Sequence, residues 1–114
     1  MSTYTMAFAI QDFESVSGSG NMTVWATKEL IDAGYADYAN VVGSDSITFM
    51  EELFGIKYTL SKMDMVHAPQ FAAGAMENWG LVLYEYDYIL YDKSNPDDNK
   101  KWDVIETISH ELAH

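Results

Sequence analysis

The chain has 114 residues, 48% of them hydrophobic, with 5 Phe, 8 Tyr and 3 Trp; that is too apolar and too rich in rings for a disordered segment, and it suits one small domain or a piece of a larger one. Eighteen acidic against six basic residues give a formal charge of −12, a field that repels phosphate backbones, so nucleic acid is not an expected partner. The absence of cysteine excludes disulfides and thiolate metal sites.

Met1-Ser2-Thr3-Tyr4 lacks a basic leader, and no run is long enough to span a membrane, so an export signal or anchor is expected only outside this chain. Tyr4, Met6, Phe8 and Ile10 alternate with smaller residues, a period of two that predicts a strand. Ser15 to Asn21 is rich in Ser and Gly, and β-type residues resume from Met22 to Thr27. This predicts a hairpin turning near Gly18-Ser19-Gly20-Asn21. Asn21-Met22-Thr23 also matches the N-glycosylation pattern, which would place the loop in a secretory lumen if the site were used.

From about Gly34 the spacing changes. Tyr35, Tyr38, Ala39, Val42, Phe49, Met50, Leu53 and Phe54 recur at helical intervals, predicting an amphipathic helix with a break near Gly43-Ser44-Asp45 and a left-handed Gly55 at its end. Met63 to Ala68 and Gly80 to Tyr91 are predicted strands. Asn95-Pro96-Asp97-Asp98 is the predicted start of a last helix, with Pro at its first position and Val104, Ile105, Ile108 and Leu112 on its buried face. There is no internal repeat, and strands and helices do not alternate regularly, which favours an α+β arrangement.

His110-Glu111-Leu112-Ala113-His114 falls on that last helix. Residues four apart on a helix stack on one face, so both imidazoles can reach one metal ion. Glu111, one step round, would flank the ion without ligating it and act as general base towards water that the ion acidifies. The accidental alternative is a surface helix that happens to carry two histidines. Gly74-Ala75-Met76-Glu77-Asn78 precedes Trp79-Gly80 and a predicted strand. Taken alone it reads as a glycine-punctuated loop. Next to a metal site, a strand edge can pair with an extended peptide, and Glu77 can pair with a free α-ammonium group. His67 is read as structural or exposed, and Tyr84, Tyr86, Tyr88 and Tyr91 as residues of a half-buried strand.

Gly74-Ala75-Met76-Glu77-Asn78 followed by His110-Glu111-Leu112-Ala113-His114 resembles the hallmark of the gluzincin aminopeptidases of the aminopeptidase N type. The similarity covers essentially the whole chain, including Ser2-Thr3-Tyr4, Ala7-Phe8, Asp12-Phe13, Phe54-Gly55-Ile56-Lys57-Tyr58, Phe71 to Leu81 and Leu90-Tyr91-Asp92. It departs from the common pattern at Gln70, often Asp; at Glu85-Tyr86, often Arg-Glu; and at Thr59 and Ser61, often Pro.

The resemblance implies the amino-terminal half of a thermolysin-like zinc metallopeptidase domain over residues 15–114, with residues 1–14 ending an amino-terminal β domain. It implies one Zn²⁺ held by His110 and His114, with Glu111 activating water. Gly74, Ala75 and Met76 would line the substrate backbone, Glu77 would bind the free amino terminus, and Asn78 would complete the substrate-binding motif. The third zinc-ligating glutamate and a transition-state tyrosine would lie beyond His114, so the chain alone is expected to be inactive. Expected partners are a peptide with a free amino terminus and the remainder of the catalytic domain. The location implied is the extracellular face of the plasma membrane or the secreted space. A receptor that uses the same fold for binding is the alternative; the retention of Glu77, Glu111 and both motif histidines favours the enzyme.

Overall fold

A computed structural model describes residues 12–18, 21–69 and 72–114, so the predicted Tyr4–Ile10 strand and all but residues 12–14 of the expected end of a β domain lie outside the described residues. Strand β1 (Glu14–Ser17) and strand β2 (Met22–Ala26) form the predicted hairpin, antiparallel with Val16 opposite Val24. The first strand is built from Ser15 to Ser17, which composition assigns to the loop. Main-chain pairing to β2 outweighs the weak strand preference of serine. β2 alternates cleanly, with Met22, Val24 and Ala26 buried and Thr23 and Trp25 half-buried on the other face.

A short helix, α1 (Lys28–Asp32), leads into α2 (Asp37–Phe54). The predicted break near Gly43 does not occur: α2 runs unbroken for 18 residues. Gly43 is instead where the helix crosses closest to the sheet. A Cβ there would lie 2.7 Å from Met65 Cε and 3.0 Å from Met22 Cε, so the missing side chain makes room for two methionine tips. The end of α2 is as predicted, with Gly55 left-handed at φ 67° and its N–H donating to Glu51 O.

Strand β3 (Met63–His67) returns parallel to β2, so α1 and α2 form a helical crossover. The next segment makes β4 (Ala75–Met76), then β5 (Leu81–Tyr84), which inserts between β3 and β4. The sheet order is therefore β1-β2-β3-β5-β4, parallel in its centre and antiparallel at both edges. This mixed sheet with helices agrees with the expected amino-terminal part of a metallopeptidase domain.

The predicted strand from Gly80 to Tyr91 is shorter than expected. After Tyr84 the chain turns into a single helical turn, α3 (Tyr86–Ile89), and runs on extended. Ile89 and Leu90 are buried, Tyr91 N–H donates to Tyr35 O at 2.9 Å, and the Tyr38 and Tyr91 rings sit 5.1 Å apart. Tertiary burial thus overrides the β preference of this run.

Helix α4 (Asp98–Ala113) starts two residues later than Pro96 at a first helical position would place it. Asp97 is the N-cap, its carboxylate accepting from Asn99 N at 2.9 Å and Lys100 N at 3.4 Å. Val104 and Ile108 are fully buried, Ile105 is half-buried, and Leu112 packs against the core. The α2 and α4 helices are joined by Ser46 Oγ and Ser109 Oγ at 3.1 Å. Lys100 fixes α4 to α3, donating to both Asp87 O and Asp87 Oδ1 at 2.6 Å.

Candidate active site

The last turn of α4 and the sheet edge at β4 bring the two sequence motifs together. The helix is held by Val104 and Ile108 in the core, and that anchoring fixes which way its final turn faces. His110 and His114, one turn apart, have their Nε2 atoms 3.2 Å apart and their rings nearly perpendicular at 78°. Two nitrogens each about 2.0–2.1 Å from one tetrahedral ion would be about 3.3 Å apart. The observed pair therefore has the spacing that a shared metal requires.

Glu77 and Glu111 lie on the same side. A ligand atom from each of Glu77, Glu111 and His114 falls within 4.8 Å of the others. The three line a cleft of about 200 Å³, walled by Tyr58, Leu60, Met63 and Leu112. His114 converges with the two carboxylates, and His110, outside that group of three, has its Nε2 3.2 Å from that of His114; nitrogen and oxygen donors of this kind suit zinc, so the residues present fit the ion implied by the sequence motif.

Glu111 is half-buried, and its Oε2 is buried with no partner among the described residues. Burial first, then the carboxylate of Glu77, raise its pKa, while His110 and His114 pull it down. A carboxylate held this way is a stronger proton acceptor than a solvated one.

The Gly74–Asn78 motif has a shape that sequence reasoning describes only in part. The strand that follows it, β5, is interior; Ala75 and Met76 themselves form the sheet's outer edge, opposite Tyr84 and Leu83. Glu77 is at the apex of a three-residue turn, Asn78 N–H donating to Met76 O at 3.1 Å. Asn78 is buried, and its carbonyl accepts from Leu81 N at 3.2 Å, which makes it a hinge of the motif and places it on the cleft wall. Gly74 has φ 78°, a Cβ there would meet the Tyr88 ring at 3.1 Å, and its carbonyl accepts from Glu85 N at 2.7 Å. Both backbone angle and space thus select glycine.

Two residues near the site were not singled out as functional. Tyr84 is fully buried, and burial followed by the Glu111 carboxylate pushes its phenol well up; the signal in the sequence was its two-residue spacing from Val82, which puts both on the inner face. His67, expected to be structural or exposed, is buried with its ring edge-on to Tyr86 at 6.0 Å. Tyr86 and Tyr88, predicted in a strand, lie instead on α3.

Residues 38–114 match the Peptidase family M1 domain, and the chain belongs to that family. Over its whole length it is 44% identical to endoplasmic reticulum aminopeptidase 1 of Rattus norvegicus and 38% identical to aminopeptidase N of Homo sapiens, covering 12% of each. It is also 36% identical to aminopeptidase Q of Mus musculus, covering 21% of that protein. The chain thus spans about an eighth of the length of the first two relatives.

Proposed function

We propose that this chain supplies the substrate-end recognition and part of the metal site of a zinc aminopeptidase, a peptidase that removes residues from the amino end of peptides. The observation that carries the reading is the convergence of Glu77, Glu111 and His114 within 4.8 Å, with His110 Nε2 3.2 Å from that of His114. The names of the relatives, aminopeptidases in each case quoted, point the same way.

His110 and His114 would hold the ion, with a further carboxylate supplied from outside this chain. Bound there, zinc would supply Lewis acidity towards water and the scissile carbonyl. The protein's own groups do the rest. The edge at Ala75, on the outermost strand, faces an extended peptide, which adds as a further strand. Glu77, at the apex of its turn, pairs with the α-ammonium group of the substrate, so that only a terminal residue is correctly placed. Glu111 takes a proton from the attacking water and delivers it to the departing amine as the C–N bond breaks. The charge of −12 favours the cationic end of the peptide over anionic partners.

The relatives' names also support a secretory-pathway location, one of them being an endoplasmic reticulum protein by name. Among the described residues no helix is long and apolar enough to cross a membrane.

The test uses the longer polypeptide that contains this chain, assayed on an amino-acid anilide with a free or an acetylated amino group. Glu77→Ala is expected to lower kcat/KM for the free substrate by tenfold or more, on the order of a lost charged hydrogen bond, and Glu111→Gln to abolish turnover. Equal cleavage of free and acetylated substrates by the unaltered protein would remove the role assigned to Glu77. The 114 residues alone are expected to turn over little or no substrate.

A further inference from the structure

The triplet Asn21-Met22-Thr23 is not used by the proposed chemistry, and the fold presents it in a particular way. Asn21 occupies the turn between β1 and β2 and is exposed. Its backbone is fixed: Met63 N–H donates to Asn21 O at 2.9 Å, and Gly18 N–H closes the hairpin on Met22 O at 3.0 Å. Its side-chain amide makes no hydrogen bond to another described residue.

The next two residues divide their roles. Met22 is only 3% exposed and anchors the strand in the core. Thr23, two residues from Asn21, lies on the opposite face of β2 from Met22 and Val24. The hydroxyl required two positions later thus lies away from the core face, the acceptor itself is exposed in the turn, and no proline intervenes or follows, Val24 being next. The remaining asparagines, Asn40, Asn78, Asn95 and Asn99, lack a Ser or Thr two residues on. Asn40 and Asn78 are in addition only 4% and 5% exposed.

We infer that Asn21 is an N-glycan acceptor, its oligosaccharide projecting from the β1–β2 turn. The inference rests on the secretory-lumen location proposed above. In the transfer, Asn21 Nδ2 forms a bond to the anomeric carbon of an oligosaccharide carried on a lipid diphosphate; the bond from that carbon to the diphosphate oxygen breaks. The lipid diphosphate departs, and a base of the transferase takes the amide proton. Because Asn21 borders a cleft walled by Tyr58, Leu60 and Met63, and the same three residues wall the catalytic cleft, the glycan would stand across that partition from Glu77 and Glu111.

The experiment translates the complete chain behind a cleavable secretory leader with microsomal membranes. A glycosidase-sensitive mobility shift is expected for the unaltered chain, lost in Asn21→Gln and Thr23→Ala and retained in part by Thr23→Ser. No shift in microsomes overturns the acceptor site and leaves the location reading standing. The second arm maps glycopeptides of the longer protein from its natural source. Occupied Asn21 supports the inference; bare Asn21 beside other glycosylated triplets overturns it alone. A natural protein with no glycan anywhere overturns both the location and the site.

Discussion

At Gly43 the packing of two methionines decides a single residue's identity. Met22 and Met65 are 3% and 0% exposed, and their methyl tips occupy the space that a side chain at position 43 would need. Gly43→Val should therefore destabilise the chain by about 1–3 kcal/mol, the usual cost of overpacking a core, measured by urea unfolding. His67 makes a second prediction at this scale. Burial lowers its pKa, with Glu85 acting against the shift, so the folded state resists protonation. The unfolded imidazole takes up a proton near about pH 6.5, and below that pH the unfolded state binds more protons than the folded one. Stability is thus full above that point and falls as acid is added. Between pH 7.5 and 5.5 the unaltered chain should lose more stability than His67→Asn, as read from paired denaturant titrations. The juxtaposition of His110 and His114 was legible, because residues four apart stack on one face of a helix, and their Nε2 atoms do lie 3.2 Å apart. The burial of His67 was not legible: a histidine in a strand reads the same whether the sheet face above it is covered or open.

Among the elements, α4 holds the most consequence for the site, since its last turn presents both histidines. Its first turn is secured by Asp97, and Asp97→Ala should cost about 0.5–2 kcal/mol of stability, the range for a lost N-cap, visible as a lower melting temperature. The sequence showed this helix, its buried face and its acidic beginning. It placed the start at Pro96, because proline suits the first helical position; here the Asp97 carboxylate takes the capping role and moves the boundary inward. The predicted strand through Tyr91 failed for a different reason. Residues 80–91 are rich in β-formers, and local preference carries no sign that the carbonyls of Glu85 and Tyr86 are taken by Tyr88 N–H and Leu90 N–H, which close the turn of α3.

For the molecule as a whole, two predictions concern what the surface does. Zinc should bind the folded form alone through His110 and His114, raising the melting temperature; at 100-fold excess over Kd the gain is about 2.7 kcal/mol. The rise should be reversed by a chelator and absent in His110→Ala and His114→Ala, and an equal rise in those variants would place the ion elsewhere. At the far end of α2, Phe49, Leu53, Phe54 and Ile56 are 63–70% exposed, an apolar patch of the kind that drives association. Sedimentation should show concentration-dependent self-association of the isolated chain, reduced by Leu53→Lys. The general class of fold was readable from the mixture of periods. The sheet order was not, because nothing local says that β5 slides between two strands that precede it in the chain.

That order has a consequence in time. Strand β4 lies at the end of the sheet and is held by only two residues along one side, against β5. The ledge that would grip a peptide is accordingly the first to loosen, so its amides should exchange with deuterium well before those of β2 and β3. A brief fraying of two residues would free whatever lies along that ledge while the rest of the sheet stays closed.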